Sequence, residues 1–180
     1  MLNDIVASIR LLQRQKLIKK AWVIDIDVHK GDGTAELTQN DISITTLSIH
    51  MQNGWPLDGP ESVNGKINPS FIPSDIDIAI SQEENDRYLP ELAAGLSRLN
   101  QLAPQPDIVA IVGGSDPYEG DELPSSSLIS LTLEEMLKRD HMVYEFCKKL
   151  NVPQFWLMAG GYGENVWKVH SQFLKSVLGC

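Results

Sequence analysis

The chain has 180 residues, of which 42% are hydrophobic and 22% charged, a globular mixture that excludes a disordered chain. Fifteen Lys and Arg against 24 Asp and Glu leave a net charge of −9, without the basic footprint of a general nucleic-acid or membrane-surface binder. The two cysteines, Cys147 and Cys180, supply neither a disulfide framework nor paired thiolates for zinc, and no apolar run suits a membrane span, so the expected setting is the cytoplasm.

Apolar residues at Ile5, Ile9, Leu11, Leu12 and Leu17 predict a helix over 4–20, with cations gathering near its C-terminal end where the dipole favours them. Residues 21–28 are apolar except for Asp25 and Asp27, which predicts a buried strand running through His29 and Lys30 into a Gly31-Asp32-Gly33 turn. A second strand is expected over 42–49. The polar, Pro- and Gly-rich stretch after it, 50–73, is long enough to mark a functional loop. Further strands are expected at 76–80, 107–112 and 154–158, and helices at 88–102, 133–150 and 164–177. Thr132 is the expected N-cap of the second of these helices, with Glu135 three residues on. Strands alternating with helices predict one domain over 1–180, a three-layer α/β/α fold with a mainly parallel sheet.

Ligands of such a sheet sit at the carboxyl ends of its strands, and three of those ends carry more polarity than the fold needs. Along the first strand, period two places Asp25, Asp27 and His29 on one face, with Ile24, Ile26 and Val28 on the other. Neighbouring carboxylates on a buried strand repel and resist desolvation unless a cation or donors compensate them. An exposed edge strand with hydrated acids is the bland alternative, and the apolar flanks argue against it. The second end, Gly113-Gly114-Ser115-Asp116-Pro117-Tyr118-Glu119-Gly120-Asp121, reads as a turn or as backbone able to approach an ion closely. The third, Ala159-Gly160-Gly161-Tyr162-Gly163, could aim a tyrosine hydroxyl at a developing oxyanion, although such a sequence also makes an ordinary turn. One His with two Asp suits zinc or another first-row dication that keeps a position open for water, which points to metal-assisted hydrolysis of an amide-like bond.

The run Ile24-Asp25-Ile26-Asp27-Val28-His29-Lys30-Gly31-Asp32-Gly33-Thr34 resembles the signature of the histone deacetylase family, in the arginase/deacetylase superfamily. In order along the chain, Leu47-Ser48-Ile49-His50, Trp55-Pro56, Ser74-Asp75-Ile76-Asp77, Tyr88-Leu89, Ser115-Asp116-Pro117 with Asp121, Leu131-Thr132, Arg139-Asp140 and Ala159-Gly160-Gly161-Tyr162-Gly163 resemble later motifs of bacterial members close to class IV. The resemblance implies a zinc site of Asp27, His29 and Asp121, a structural monovalent cation, usually potassium, near Asp25 and Ser48, and Tyr162 as the oxyanion donor. It places Trp55 on the acyl-lysine channel, with Gly160 and Gly161 beside the substrate, and implies hydrolysis of acyl-lysine or N-acyl amides.

Against that pattern, the N-terminal strands and the His-His pair that acts as general base and acid have no counterpart among His29, His50, His141 and His170. By the resemblance, Asp25 and Asp32 match the carboxylates that orient that pair and are expected to be orphaned of it. Lys30 stands where many relatives carry His or Gln, and Pro124 where many carry Gly. The expectation is the C-terminal part of a deacetylase-like domain, weak or inactive alone, that oligomerises through the edge left by the missing strands, expected to be the strand carrying Asp25 and Asp27. A non-catalytic oligomerisation or interaction domain on the same fold is the alternative. A haloacid-dehalogenase-type phosphatase would share the Asp-x-Asp strand end, but it needs a lysine ahead of its later acids, and none occurs between Lys66 and Lys138. Cys147 reads as core, His141 and His170 as packing or surface residues, and Trp22, Trp156 and Trp167 as packing between sheet and helices. His50 is a candidate ligand at a strand end.

Overall fold

The computed structural model of the protein describes residues 3–179, so Cys180 lies outside the described residues. Helix α1 (Asp4–Arg14) starts where the Asn3 side chain accepts the Val6 amide at 2.9 Å, and it buries Val6 and Ile9. It is shorter than the periodicity predicts. Lys16 turns to positive φ, and Asp107 takes the amides of Lys19 and Lys20 at 2.6 and 2.9 Å, which draws the backbone out of the helix toward the sheet.

Strand β1 (Ala21–Asp25) follows, every residue buried. Next comes α2 (Asp32–Thr38), a short helix hidden in the sequence by the two glycines that flank Asp32. Strand β2 (Ile44–Met51) is followed by a small antiparallel hairpin of β3 (Ser62–Val63) and β4 (Lys66–Ile67), and then β5 (Ile76–Ile80). After α3 (Tyr88–Leu102) and β6 (Ile108–Gly113) comes α4 (Leu133–Lys149), entered through the expected capping box of Thr132 and Glu135. Strand β7 (Gln154–Met158) and α5 (Trp167–Leu178) complete the described order.

Among the described residues the main sheet has five strands in the order β5-β2-β1-β6-β7, each paired parallel to its neighbours. Thus β1 is the central strand: Asp25 lies opposite Ser48 on one side and Val112 on the other. This overturns the expectation that the strand carrying Asp25 forms an exposed edge. The edges are β5 and β7.

Helices cover both faces, which is why Ala21 to Ile24 of β1 and Ile108 to Val112 of β6 run continuously apolar. One core joins Trp22, Ile24, Ile26, Leu47, Ile49 and Ile111 to Leu92, Leu96, Val143 and the buried Cys147. The other packs Val6 and Ile9 of α1 against Ala21, Val23, Ile44 and Ala110. Trp22 stacks on Phe146, with ring centroids 6.1 Å apart. Gly95 lets α3 close onto the sheet, because a Cβ there would come 2.6 Å from Ile78 Cδ1. Trp167 stands 60% exposed, so it does not pack between layers as expected. No helix among the described residues is long and apolar enough to cross a membrane.

Candidate metal centre

The site lies at the carboxyl ends of β1, β6 and β7. Strand pairing stops at Asp25, and after the Ile26 amide donates to the Val112 carbonyl at 3.0 Å, the chain turns Asp27 and His29 toward the segment that follows β6. His29 Nδ1 lies 3.1 Å from Asp27 Oδ1 and 3.1 Å from Asp116 Oδ2. Ligand atoms of Asp27, His29 and Asp116 all fall within 4.8 Å of one another.

Backbone amides hold each carboxylate in place. Asp27 accepts the His29 amide at 3.0 Å and the Gly160 amide at 2.7 Å, and Asp116 Oδ1 accepts the Val28 amide at 3.0 Å. Asp116 Oδ2 is buried and has no well-directed hydrogen-bond donor, despite its closeness to the imidazole. A buried carboxylate oxygen left in this state is costly unless a cation meets it. One imidazole nitrogen and two carboxylates form a donor set that fits a divalent first-row ion.

The electrostatics follow from crowding. Burial raises the Asp116 carboxyl above its ordinary range, and the charge of Asp27 adds to this. Burial also works upward on Asp27, but hydrogen bonds from the His29 side chain and from the His29 and Gly160 amides outweigh it and hold Asp27 below that range. For His29, burial works downward, and Asp116 and Asp27 overcome it, lifting the imidazole to about 9. Asp25, buried at the end of β1, is raised well above the usual carboxylate value by burial and by its neighbour Asp27.

Glycine is required where the backbone crosses these groups. A Cβ on Gly160 would come 2.6 Å from Asp27 Oδ2 and would also collide with Asp116. Below the site, Arg139 is buried, pairs with Asp140 at 2.7 Å, and donates to the Ile26 carbonyl at 3.0 Å, next to Asp27.

The histone deacetylase domain family matches residues 1–177. The chain belongs to the histone deacetylase family. An uncharacterized protein of the cyanobacterium Picosynechococcus is 29% identical over 166 residues, covering 92% of this chain and 50% of that protein. The acetoin utilization protein AcuC of Bacillus subtilis is 24% identical over 169 residues, covering 93% of this chain and 42% of AcuC. Among solved structures, an HDAC homolog from Aquifex aeolicus superposes with a TM-score of 0.72 at 20% identity, covering 97% of this chain and 46% of that one. The chain therefore spans about half or less of the length of these relatives.

The third carboxylate at the cluster is Asp116, and the expectation for Asp121 is corrected. Asp121 Oδ1 accepts the Leu123 amide at 2.9 Å and the Ser126 hydroxyl at 2.8 Å, and its Oδ2 accepts the Tyr162 amide at 2.6 Å. Both oxygens are thus engaged on the next turn of the loop. The available signal was position: Asp116 is the first acid after β6, close enough for the strand to aim it.

Ser48 and Asp25 meet across the strands around Gly31, whose amide donates to Ser48 Oγ at 3.3 Å. Asp25 and Asp32, expected to be without the His-His pair, hold other hydrogen bonds. Asp25 accepts the Asp27 amide at 3.1 Å, and Asp32 accepts the Ser70 hydroxyl at 2.9 Å. Trp55 stands edge-on to the His29 ring, centroids 5.5 Å apart, and is 56% exposed. Tyr162, on the loop after β7, is 47% exposed, and its hydroxyl is made less acidic by burial and by the charges of Asp116, Asp27 and Asp121.

His50 does not reach the cluster. Its Nδ1 lies 2.7 Å from the Met51 carbonyl and its Nε2 3.3 Å from Asp77 Oδ2. Asp77 in turn receives buried Lys30 Nζ on both oxygens, each at 2.7 Å, and the Ser74 amide at 2.9 Å. Sequence reasoning missed this Lys30–Asp77–His50 group, because its members lie on three separate segments.

Proposed function

We propose that this chain carries the metal-holding part of a zinc-dependent deacylase, with Asp27, His29 and Asp116 holding zinc and Tyr162 donating to the carbonyl oxygen of an acyl-lysine or small N-acyl amine. The observation that carries the reading is the convergence of these three residues, whose ligand atoms lie within 4.8 Å of one another, with Asp116 Oδ2 buried and met only by the His29 imidazole. Bound there, zinc would lower the pKa of a water and polarise the amide carbonyl. Tyr162 would hydrogen-bond that oxygen as it gains negative charge, and exposed Trp55 beside His29 would flank the acyl chain as it enters. Asp25 and Ser48, facing each other around Gly31, are the residues proposed to hold potassium.

The same reading implies weak or absent turnover by this chain alone. A general base contributes about 10²–10⁴-fold, and among the described residues His50 is tied to Asp77, while His141 is tied to the Ser176 hydroxyl at 2.8 Å. Neither stands beside the cluster to take a proton from water. This observation favours the second reading, a non-catalytic domain that keeps the fold and the metal.

We also propose that copies of the chain associate through β7. Its outer backbone edge is unpaired, Met158 is 78% exposed, and a cavity of about 330 Å³ beside it is lined by Trp156, Met158, Phe173, Leu174 and Val177. Light scattering should report a dimer or larger species that Met158→Lys dissociates, and a monomeric wild type refutes this part.

The deciding experiment is metal content by mass spectrometry, beside hydrolysis of an acetyl-lysine peptide and an N-acetyl diamine. The reading expects about one zinc per chain, in keeping with one three-ligand catalytic site, and loss of it in Asp27→Ala and Asp116→Ala. A folded wild type that takes up no zinc refutes it. Zinc without turnover selects the non-catalytic reading.

A further inference from the structure

The loop after β7 meets the site at two separate places. At the first, the Gly160 amide donates to Asp27 Oδ2 at 2.7 Å, and the Gly160 carbonyl accepts from the Ser115 amide at 2.5 Å and the Ser115 hydroxyl at 3.1 Å. This anchors the start of the loop to the metal cluster but leaves Tyr162 two residues further on. Gly161 and Gly163 on either side of Tyr162 have positive φ, +152° and +134°, so the local sequence imposes little of its own on the tyrosine backbone. Packing does not restrain it either, since its side chain is about half exposed.

The second place supplies the missing restraint. The Tyr162 amide donates to Asp121 Oδ2 at 2.6 Å, the Tyr162 carbonyl accepts the Glu122 amide at 2.7 Å, and the Glu164 amide donates to Glu122 Oε1 at 3.1 Å. Asp121 is itself held rigid by the Leu123 amide and by Ser126, a buried serine. The glycine at 163 makes room for this contact, because a Cβ there would lie 2.7 Å from Glu122 Cδ. Hydrogen bonds to an ionised carboxylate are shorter and stronger than neutral ones, and they orient as well as stabilise.

We propose that Asp121 and Glu122 form a clasp that positions Tyr162 over the metal cluster, so that Asp121 acts on the reaction through the tyrosine and not through the metal. This rests on the reading of Tyr162 as the oxyanion donor, and its test separates the two ideas.

The test compares wild type with Asp121→Ala, Asp121→Asn and Asp116→Ala in the full chain. It uses residue-resolved amide exchange by NMR, direct zinc titration, and kcat and KM on an acetyl-lysine peptide. In Asp121→Ala the Tyr162 amide should exchange at least about tenfold faster, with zinc affinity within about threefold of wild type. Where turnover is measurable, kcat should fall about tenfold or more with KM unchanged, because the tyrosine acts on charge formed only in the transition state. Asp121→Asn keeps one acceptor oxygen, which can turn to the Tyr162 amide at the cost of the Leu123 side, and should leave protection and rate between those of wild type and Asp121→Ala, which a purely structural lesion would not grade in this way. The same variant carries the comparison if Asp121→Ala does not fold.

Zinc loss in Asp121→Ala matching that in Asp116→Ala, or unchanged exchange at Tyr162, overturns the proposal. A wild type without turnover refutes the deacylase reading while exchange and zinc binding still decide the clasp.

Discussion

Replacing Lys30 by Met is expected to destabilise the domain at neutral pH, by an amount the geometry sets. Lys30 Nζ contacts both oxygens of Asp77 at 2.7 Å, and its side chain is 4% exposed. Methionine keeps most of the packed stem and removes only the charge, leaving Asp77 uncompensated on that side. Removing one partner of a buried ion pair costs about 3–5 kcal/mol. Here the Asp77 side chain keeps 24% of its exposure, and His50 Nε2 remains 3.3 Å away. Solvent and imidazole therefore take up part of the orphaned charge, and the expected loss is about 2–3 kcal/mol. For a chain of this length that is a fall in Tm of about 5–10 °C.

The pH dependence gives an independent check. Burial works upward on Asp77, but bonds from His50, Lys30 and the Ser74 amide overcome it and hold the carboxyl at about 2. A folded value below the unfolded one, about 3.9, contributes stability that is complete above that unfolded value and is lost as pH falls through about 2. The gap between wild type and Lys30→Met should therefore be widest above about pH 4 and narrow toward pH 2. Urea titrations followed by the fluorescence of buried Trp22 measure both quantities. Lys138→Met is the control: Lys138 lies 2.7 Å from Glu134 on an exposed helix face, and its loss should leave the midpoint in place. A Lys30→Met midpoint equal to wild type, or a gap that stays constant with acid, would refute the reasoning.

Gly160→Ala should keep the far-ultraviolet spectrum of wild type and lower zinc affinity by about tenfold or more, because its Cβ enters the space between Asp27 and Asp116. Zinc titration at wild-type affinity would show that the loop moves aside freely. Arg139→Met should cost about 3–5 kcal/mol by leaving buried Asp140 unpaired, and Arg139→Met/Asp140→Leu should recover most of that loss in chemical denaturation. Equal losses in the single and double variants would mean that the bond to the Ile26 carbonyl matters more than the ion pair.

Much of the fold was legible because it is written in short-range pattern. The strands over 76–80 and 154–158, the helix over 88–102 and the Thr132–Glu135 capping box all fall where periodicity and capping chemistry put them. Asp27, His29 and Tyr162 stood out as polar residues at strand ends, and the structure brings Asp27 and His29 together. The third member was misread because Asp116 and Asp121 are both acids on one turn-rich segment. Four residues of loop separate a carboxylate buried against His29 from one spent on Tyr162, Leu123 and Ser126.

The sequence by itself determined the element order, the α/β class and the chemical character of the strand ends, since each depends on neighbours within a turn or a strand. The tertiary structure decided what depends on distant partners. It placed β1 at the centre of the sheet, because strand order arises from crossovers that local pattern does not encode. It also joined Lys30 to Asp77, 47 residues away, and chose Asp116 over Asp121 by the direction in which the chain leaves β6.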